Sequence, residues 1–355
     1  MHDPRIDALM RDYGGYVPGA SVLVLRDGRI VHRTGYGLAD LEARVPVTPR
    51  TNFRLASMSK QFTAAAIEIL ARRGALSYND PITRFLPTLP AYARTITIRQ
   101  LLTHSSGLLD YEDLIADDRN SWPSAVGRLP SLLGQQPTAN GQPAIEQVSD
   151  LDVLHMLEKT DHALFAPGTS YRYSNTGYVF LGLIVANASG TSFGEFLTRE
   201  IFEPLAMHGT QMGPPPHDRA YGYTRKEGAW LRRDQSVTSA TRGDGGIYSS
   251  IDDLAKWDAS LPPDPPAFTV ATDDPKIRYG YGWRYGEHRG HRTMWHSGET
   301  TSFRNVIVRF PEARLTVVIL TNRDHPQPYE TALRIADLYL SSSPSPSISR
   351  TPDHP

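Results

Sequence analysis

The stretch LASMSKQFT at residues 55–63 contains Ser57 and, three residues later, Lys60. The apolar periodicity of residues 62–70 predicts a helix there. Three residues make nearly one helical turn, so both side chains project from the same face of that helix. Such a pair can supply a nucleophile and a neighbouring base or cation, which covalent acyl transfer needs. The alternative is a helix N-terminus that carries a solvated lysine.

The surroundings of Lys60 favour the catalytic interpretation. Small and apolar residues flank this lysine, so we expect it to be partly buried. A lysine at a helix N-terminus also faces the positive end of the helix dipole. Both effects disfavour the charged ammonium and favour an amine that can accept the serine proton.

The composition excludes several classes of function. The chain has 355 residues, a formal net charge of −1 and no cysteine. Disulfides, thiolate catalysis and Cys-ligated zinc are therefore excluded. Charges of both signs are interspersed, so we predict no nucleic-acid partner.

Residues 1–5 lack the apolar region of a signal peptide, and no stretch of about 18 apolar residues is present. We expect no membrane segment and a cytoplasmic location, or a periplasmic or secreted one if a leader was removed; the oligomeric state is unknown.

Hydrophobic periodicity and turn residues outline the secondary structure. Two β-rich runs flank Asp27-Gly28 and predict a hairpin at residues 21–32. Helices are predicted at 4–13, 57–74, 97–102, 150–159, 175–188, 192–206, 251–261 and 328–340, and further strands at 279–285, 292–296, 302–309 and 315–321.

The order of these elements predicts an α+β fold. The N-terminal hairpin and the C-terminal strands form one antiparallel sheet, which the terminal helices cover. We expect a discontinuous α/β lobe at residues 1–75 and 243–341, and a mainly helical lobe at 76–242. Residues 110–148 are interpreted as a long lid and 210–242 as loop with some strand. Residues 342–355 form a Ser/Pro tail that we expect to be disordered.

Two further motifs complete a recognisable set. Tyr173-Ser174-Asn175 precedes a predicted helix, and His296-Ser297-Gly298 ends a late strand. With Ser57-x-x-Lys60, this order resembles the penicillin-recognising serine hydrolases. These include class C β-lactamases, D-alanyl-D-alanine peptidases, D-aminopeptidases and β-lactamase-like esterases. The resemblance spans roughly residues 15–340, and it includes the stretches at 98–108 and 245–250. It implies the β-lactamase/transpeptidase-like fold and no cofactor or metal.

The resemblance also implies a role for each matching residue. A phenol beside a cationic lysine loses its proton more easily, and two N–H donors stabilise a tetrahedral intermediate. The implied roles are nucleophile for Ser57, shared general base and acid for Lys60 and Tyr173, amide binding for Asn175, substrate binding for His296, Ser297 and Gly298, and oxyanion-hole N–H groups from Ser57 and Glu299.

His296 departs from the family pattern, because relatives often have lysine at this position. A neutral imidazole supplies a donor but no permanent cation. We therefore expect neutral esters to be handled at least as well as carboxylates, and protonation toward pH 6 to favour anionic substrates. The alternative is a structural histidine that is bonded to the backbone at a strand end.

Some patterns in the chain have simpler explanations than a site. Ser192 lies in a G-x-S-x-G motif, but with Glu195 it also fits a helix capping box, which we favour. Glu287, His288, His291 and His296 are close in sequence, yet their spacing does not predict a metal site. We interpret Asp244 as a turn residue.

The leading hypothesis is a serine hydrolase that cleaves esters or amides through a Ser57 acyl-enzyme. A β-lactamase-like carboxylesterase or a D-amino-acid peptidase is favoured. A class C-type β-lactamase and a slow penicillin-binding sensor remain as alternatives. The substrate is a small-molecule ester, amide or β-lactam.

Overall fold

The computed structural model describes residues 2–117, 147–262 and 268–340. Its helices are α1 (Pro4–Leu9), α2 (Lys60–Arg72), α3 (Ile98–Leu102), α4 (Tyr111–Asp117), α5 (Asp150–Glu158), α6 (Asn175–Ser189), α7 (Phe193–Leu197), α8 (Ile251–Ser260) and α9 (Tyr329–Ala336). The strands are β1 (Ala20–Arg26), β2 (Arg29–Tyr36), β3 (Leu38–Asp40), β4 (Val45–Pro46), β5 (Phe53–Arg54), β6 (Gln211–Met212), β7 (Tyr223–Lys226), β8 (Ala229–Arg232), β9 (Ile247–Ser249), β10 (Val270–Ala271), β11 (Arg278–Gly280), β12 (Trp283–His288), β13 (His291–Thr300), β14 (Phe303–Phe310) and β15 (Leu315–Thr321).

The main sheet joins the two ends of the chain, as predicted. Its strand order is β10-β11-β12-β13-β14-β15-β1-β2, and neighbouring strands are antiparallel. The N-terminal hairpin enters through β1, where Leu23 pairs with Val318 of β15. Both strands are buried along nearly their whole length, so they read as continuous apolar runs.

Apolar side chains cover both faces of this sheet. On one face, Ile6 of α1 and Ile335 of α9 pack in a buried cluster with Val24 and Val308. On the other face, β-strand residues such as Val318 join the large core that contains α2, α6 and α8. Each fully buried side chain of this size contributes about 1.5–3 kcal/mol. The terminal helices therefore cover the sheet as predicted, while the division into lobes at residues 75 and 243 stays a prediction.

Part of the predicted lid is helical. Residues 111–117 form α4, whereas residues 118–146 lie outside the described residues, as does the tail at 342–355. The Asp110 side chain accepts the backbone N–H of Glu112 at 3.0 Å, which caps the helix start. A helix of seven residues is too short to show a periodicity, so the pattern suggested a loop.

The predicted strand at 279–285 is in fact two strands with a turn between them. Tyr281 and Gly282 have positive φ angles of 56° and 77°, which break the extended conformation. The turn lies against the catalytic helix, since a Cβ on Gly282 would be 2.6 Å from the carbonyl carbon of Lys60. This approach depends on a distant segment and has no local signal. The predicted helix at 192–206 also divides, into α7 and a π-helical turn at Thr198–Phe202.

Among the described residues, no single helix is both long and apolar enough to cross a bilayer. The segments Asn175–Ser189 and Phe193–Phe202 pass such a test of length and composition together, with a 79° bend between them.

Candidate active site

Ser57 lies on a 3₁₀ turn, Ala56–Ser59, which leads directly into α2. Ala56 has a φ of 51°, a left-handed conformation that costs a non-glycine residue about 1–2 kcal/mol. The turn is tied to β9, because the backbone N–H of Ile247 donates to the Ser59 hydroxyl at 3.1 Å. A strained but fixed turn therefore holds the candidate nucleophile at the start of the helix.

Lys60 is fully buried, with 0% of its surface exposed. Its Nζ atom lies 2.8 Å from the Asn175 side-chain oxygen, 2.9 Å from the backbone oxygen of Asp244 and 3.0 Å from the Ser57 hydroxyl. Two of these partners can only accept hydrogen bonds, while the hydroxyl can accept one from an ammonium or donate one to a neutral amine. The alternative of a solvated lysine is thus wrong, and Lys60 is placed to exchange a proton with Ser57.

Tyr173 and Asn175 border the same lysine from the start of α6. The ring centroid of Tyr173 is 4.9 Å from Lys60 Nζ. Tyr173 and Asn175 both line a cavity beside Ser57. Within the described residues the Tyr173 hydroxyl has no hydrogen-bond partner, so it is available to a bound molecule. The backbone N–H of Asn175 donates to an Asp110 carboxylate oxygen at 2.5 Å, which fixes the first turn of α6.

His296 is buried, and its two ring nitrogens have protein partners. Nδ1 lies 2.5 Å from the backbone oxygen of Ser297, which can only accept, so Nδ1 carries the proton. Nε2 then accepts from the Tyr279 hydroxyl at 3.1 Å. Burial, then the charges of Arg284 and Lys60, hold the pKa of His296 well below its usual value. These contacts match the structural alternative, and the lowered pKa argues against titration toward pH 6. His296 also lines the cavity, so its role in substrate binding stays a prediction.

The triplet brings β13 directly against the nucleophile turn. Gly298 has no side chain at this contact, because a Cβ there would lie 1.9 Å from the backbone oxygen of Leu55. Ser297 and Glu299 line the same cavity as Ser57. The Glu299 side chain is exposed, and its carboxylate is 3.8 Å from Arg304. The oxyanion-hole role of the Ser57 and Glu299 N–H groups stays a prediction.

An open cavity of about 340 Å³ lies beside Ser57. All of the predicted site residues except Lys60 and Gly298 line it. Lys60 contacts the lining residue Ser57, and Gly298 lies against the backbone of Leu55. The lining residues are Arg54, Ala56, Ser57, Tyr111, Glu112, Tyr173, Asn175, Thr238, Thr241, Asp244, Gly245, Arg284, His296, Ser297, Glu299 and Thr300.

The sequence analysis missed Arg284, a half-buried cation in this wall. Its guanidinium lies 5.7 Å from the ring centroid of Tyr173 and 5.3 Å from that of Trp295. No ion pair joins it to a carboxylate anywhere in residues 2–117, 147–262 or 268–340. Arg284 pairs across the sheet with Trp295, next to His296. Pairing the two predicted strands at 279–285 and 292–296 in this register would have placed Arg284 beside His296.

Acidic groups line another part of the cavity. The Tyr111 hydroxyl donates to the Asp244 carboxylate at 2.9 Å, and the turn that contains Asp244 also presents its backbone oxygen to Lys60. Glu112 as a whole is exposed, but its carboxyl group is largely shielded from water. This burial, and to a smaller extent the charges of Asp110 and Asp244, raise the pKa of Glu112 to about 7. This carboxyl group therefore changes charge near neutral pH.

Ser192 has the structural role that was favoured. It caps α7, its hydroxyl accepts the Glu195 N–H, and the Glu195 side chain accepts the Ser192 N–H in return. His288 bonds to Asp337 at 2.8 Å, away from His296 in the cavity wall. The described parts of the chain contain no cluster of three or more histidine or acidic side chains that could hold a metal ion.

Comparison with known proteins agrees with this geometry. The sequence model of the family described as Beta-lactamase matches residues 6–341. Penicillin-binding protein 4* of Bacillus subtilis is 30% identical over 353 residues, which cover 91% of this chain and 72% of that protein. Protein flp of Staphylococcus aureus is 27% identical, over 87% of this chain and 60% of that protein.

Solved structures give the same result. An octameric penicillin-binding protein homologue from Pyrococcus abyssi has a TM-score of 0.73 and 28% identity, covering 94% of this chain and 76% of that one. A penicillin-binding protein from Bacillus halodurans has a TM-score of 0.75 and 26% identity, covering 96% and 100%. A D-stereospecific amidohydrolase from Streptomyces sp. shares the fold, with a TM-score of 0.71 and 21% identity over 93% and 97%. The chain therefore belongs to the β-lactamase family of serine hydrolases and has the β-lactamase/transpeptidase-like fold.

Proposed function

We propose that the protein hydrolyses small amides or esters through an acyl-enzyme on Ser57, as a D-amino-acid peptidase or a carboxylesterase does. One observation carries this proposal. The Ser57 hydroxyl contacts the Nζ atom of a fully buried lysine, and the other two partners of that nitrogen are fixed oxygens of Asn175 and Asp244. A hydroxyl in this setting can transfer its proton as it attacks a carbonyl carbon.

The reaction divides into two acyl transfers. In the first, Ser57 Oγ bonds to the substrate carbonyl carbon, and its proton passes to the Lys60–Tyr173 pair. The same pair then gives the proton to the leaving nitrogen or oxygen as its bond to carbon breaks. In the second, water attacks the acyl carbon and gives a proton to the Lys60–Tyr173 pair. The pair passes this proton to Ser57 Oγ as the bond between Oγ and the acyl carbon breaks, and the acid product leaves. The N–H groups of Ser57 and Glu299 stabilise the oxyanion in both steps.

We further propose that preferred substrates carry a carboxylate near the scissile bond. Arg284 supports this, because a half-buried guanidinium without a carboxylate partner in the described residues gains most from an anionic ligand. Burial holds the pKa of His296 well below its usual value, so we expect no positive charge from this ring. A peptide that ends in a D-amino acid satisfies this requirement, whereas a simple neutral ester does not. This reverses the substrate preference that the His296 position suggested.

A β-lactam also carries a carboxylate, so Arg284 does not separate a peptidase from a β-lactamase or a penicillin-binding sensor. The rate of deacylation of each substrate distinguishes these three activities. A substrate panel should contain D-alanyl amides, peptides that end in D-alanine, p-nitrophenyl esters and nitrocefin. We expect turnover of the amides, peptides and esters, with the highest kcat/KM for the peptides, because they carry a free carboxylate. Persistent stoichiometric labelling by a fluorescent penicillin, without turnover of any substrate, would favour the sensor instead. Turnover of nitrocefin at a rate above that of every amide and ester would favour the β-lactamase.

A further inference from the structure

The stretch His104–Gly107 lies beside the segment that carries Tyr173. It belongs to a part of the chain that resembles the family, but the reaction described above gives it no role. Its backbone oxygens accept hydrogen bonds from the N–H groups of the neighbouring segment. These bonds are Leu164 to Gly107 at 2.7 Å, Gly168 to Ser105 at 2.8 Å and Arg172 to His104 at 2.9 Å.

The side chain of His104 extends this contact around Tyr173. Its Nδ1 atom accepts the backbone N–H of Ser174 at 3.1 Å, so the residues on both sides of Tyr173 are bonded to one histidine. The ring of His104 is 4.2 Å from the ring of Tyr173, centroid to centroid. His104 is 1% exposed and does not line the cavity. It therefore contacts Tyr173 from behind, on the side away from a substrate.

We infer that His104 is a positioning residue for the proposed reaction: it fixes the ring of Tyr173 over Lys60 by accepting the Ser174 N–H and by packing against the phenol. The inference rests on the proposed Ser57 chemistry. A misplacement of about 1 Å in a proton-transfer group is enough to cost roughly 100-fold in rate.

The acceptor role requires a neutral imidazole, because an imidazolium has no free ring nitrogen. Burial lowers the pKa of His104 well below its usual value, and the charges of Lys60 and Arg284 lower it further. Since Nδ1 accepts, the proton of the neutral ring is on Nε2. Within the described residues this buried Nε2 has no hydrogen-bond partner, so it is the Nδ1 side that holds the ring in place.

Two substitutions distinguish the hydrogen-bond acceptor of His104 from the volume of its side chain. His104→Asn keeps an oxygen near the position of Nδ1, and asparagine tolerates the positive φ of 57° at this residue. His104→Leu fills the space but leaves the Ser174 N–H without an acceptor. We expect the leucine variant to lose roughly 100-fold in the acylation rate constant with a p-nitrophenyl ester, and the asparagine variant to stay within about tenfold of the wild type.

His32 provides a matched control for the loss of a buried histidine. It is 0% exposed, and its Nδ1 accepts the backbone N–H of Asp3 at 3.1 Å, in the cluster on the other face of the sheet. His32→Leu should lower the melting temperature, though by less than His104→Leu, because only residue 104 has a positive φ that strains leucine. It should leave the acylation rate constant unchanged. Equal loss of acylation in both variants would mean that His104 acts only through stability.

A double-mutant cycle with Tyr173→Phe then tests whether His104 acts through the phenol. In the phenylalanine background, His104→Leu should change the acylation rate constant by less than about threefold. A full additional loss there would overturn the inference, as would an unaffected His104→Leu single variant. Both outcomes leave the proposed function intact if Ser57→Ala is inactive and the wild type turns over. A wild type that acylates no substrate would overturn the proposed function itself.

Discussion

The backbone of Gly298 lies against the backbone oxygen of Leu55 so closely that an added Cβ would be 1.9 Å from it. Leu55 immediately precedes the turn that carries Ser57, and Gly298 immediately precedes Glu299. The missing side chain therefore sets the distance between the two N–H groups that are predicted to form the oxyanion hole. Any residue larger than glycine must separate β13 from this turn.

Gly298→Ala should reduce both activity and stability. We expect a loss of about 1–3 kcal/mol in the free energy of unfolding, because backbone atoms cannot yield as a flexible side chain can. The rate constant for acylation should fall by about 100-fold or more, as it does when one oxyanion donor is lost. Thermal unfolding and burst kinetics measure the two effects.

Gly286→Ala is the matched control, since this glycine lies on the adjacent strand β12 and an added Cβ would meet nothing closer than 3.5 Å. It should change neither quantity appreciably. Full activity in Gly298→Ala would mean that β13 does not position the oxyanion hole.

Ser57→Ala should abolish turnover of every acyl substrate, because no other hydroxyl contacts Lys60 Nζ among the described residues. Ser192→Ala is its control, since that serine has the same G-x-S-x-G signature as a nucleophile but caps α7. Loss of the cap should cost about 1 kcal/mol of stability and leave most of the activity. An inactive Ser192 variant alongside an active Ser57 variant would contradict the site assignment. Turnover of a p-nitrophenyl ester and thermal unfolding provide both readouts.

Lys60→Arg should abolish acylation while the fold survives. A guanidinium cannot be deprotonated in a protein, so it cannot take the serine proton. It is also wider than an ammonium, and Nζ occupies a space closed by three oxygen atoms. Lys256→Arg is the control, because the half-exposed Lys256 pairs with Asp253 and does not line the cavity, so this change should leave acylation unaffected. Rapid-mixing measurements of the acylation burst test both variants, and an active Lys60→Arg enzyme would leave Tyr173 as the base.

Local patterns in the sequence were sufficient for much of this fold and for the Ser57–Lys60 pair. The Asp27-Gly28 turn predicted the N-terminal hairpin, and the apolar run at Leu315–Thr321 matches β15 residue for residue. The one-turn spacing of Ser57 and Lys60 predicted that their side chains meet, and they do so at 3.0 Å. These features depend on neighbours within one turn or one strand.

The features that were missed depend on contacts between distant segments. The positive φ angles at Tyr281 and Gly282 allow a turn to approach Lys60, and Arg284 follows that turn into the cavity wall. The neutral state of His296 results from its burial beside Tyr279 and Arg284 rather than from its place in a motif. No periodicity in one sequence encodes such approaches.

Glu112 predicts how stability depends on pH. Its pKa is raised from 4.5 to about 7, so between these values the folded state binds more protons than the unfolded state. Stability must therefore fall as the pH rises through this window. Glu112→Gln removes the penalty and should raise the melting temperature at pH 8 but hardly at pH 4.5. Glu203→Gln, at an exposed position, should not show this difference. An equal effect of Glu112→Gln at both pH values would contradict the raised pKa.

Arg284→Gln should selectively impair substrates that carry a carboxylate. A charged hydrogen bond contributes about 1.5–3 kcal/mol, which corresponds to roughly a 10- to 150-fold loss in kcat/KM for the anionic member of a matched substrate pair. The neutral member should change little. Arg278→Gln is the control, because this arginine lies on the neighbouring strand β11, outside the cavity lining, and bonds to Thr269.

The pH dependence of the same substrate pair separates Arg284 from His296. Below pH 7 Glu112 loses its charge, so anionic substrates should improve relative to neutral ones as the pH falls from 8 to 6. In a Glu112→Gln background this trend should disappear, because burial and the charges of Arg284 and Lys60 hold the pKa of His296 well below its usual value. If preference for the anion still rises toward pH 6 in that background, and His296→Lys abolishes the rise, then His296 titrates and faces the substrate. That result would assign the recognition of the carboxylate to the triplet and would leave Arg284 a structural role against the ring of Tyr173.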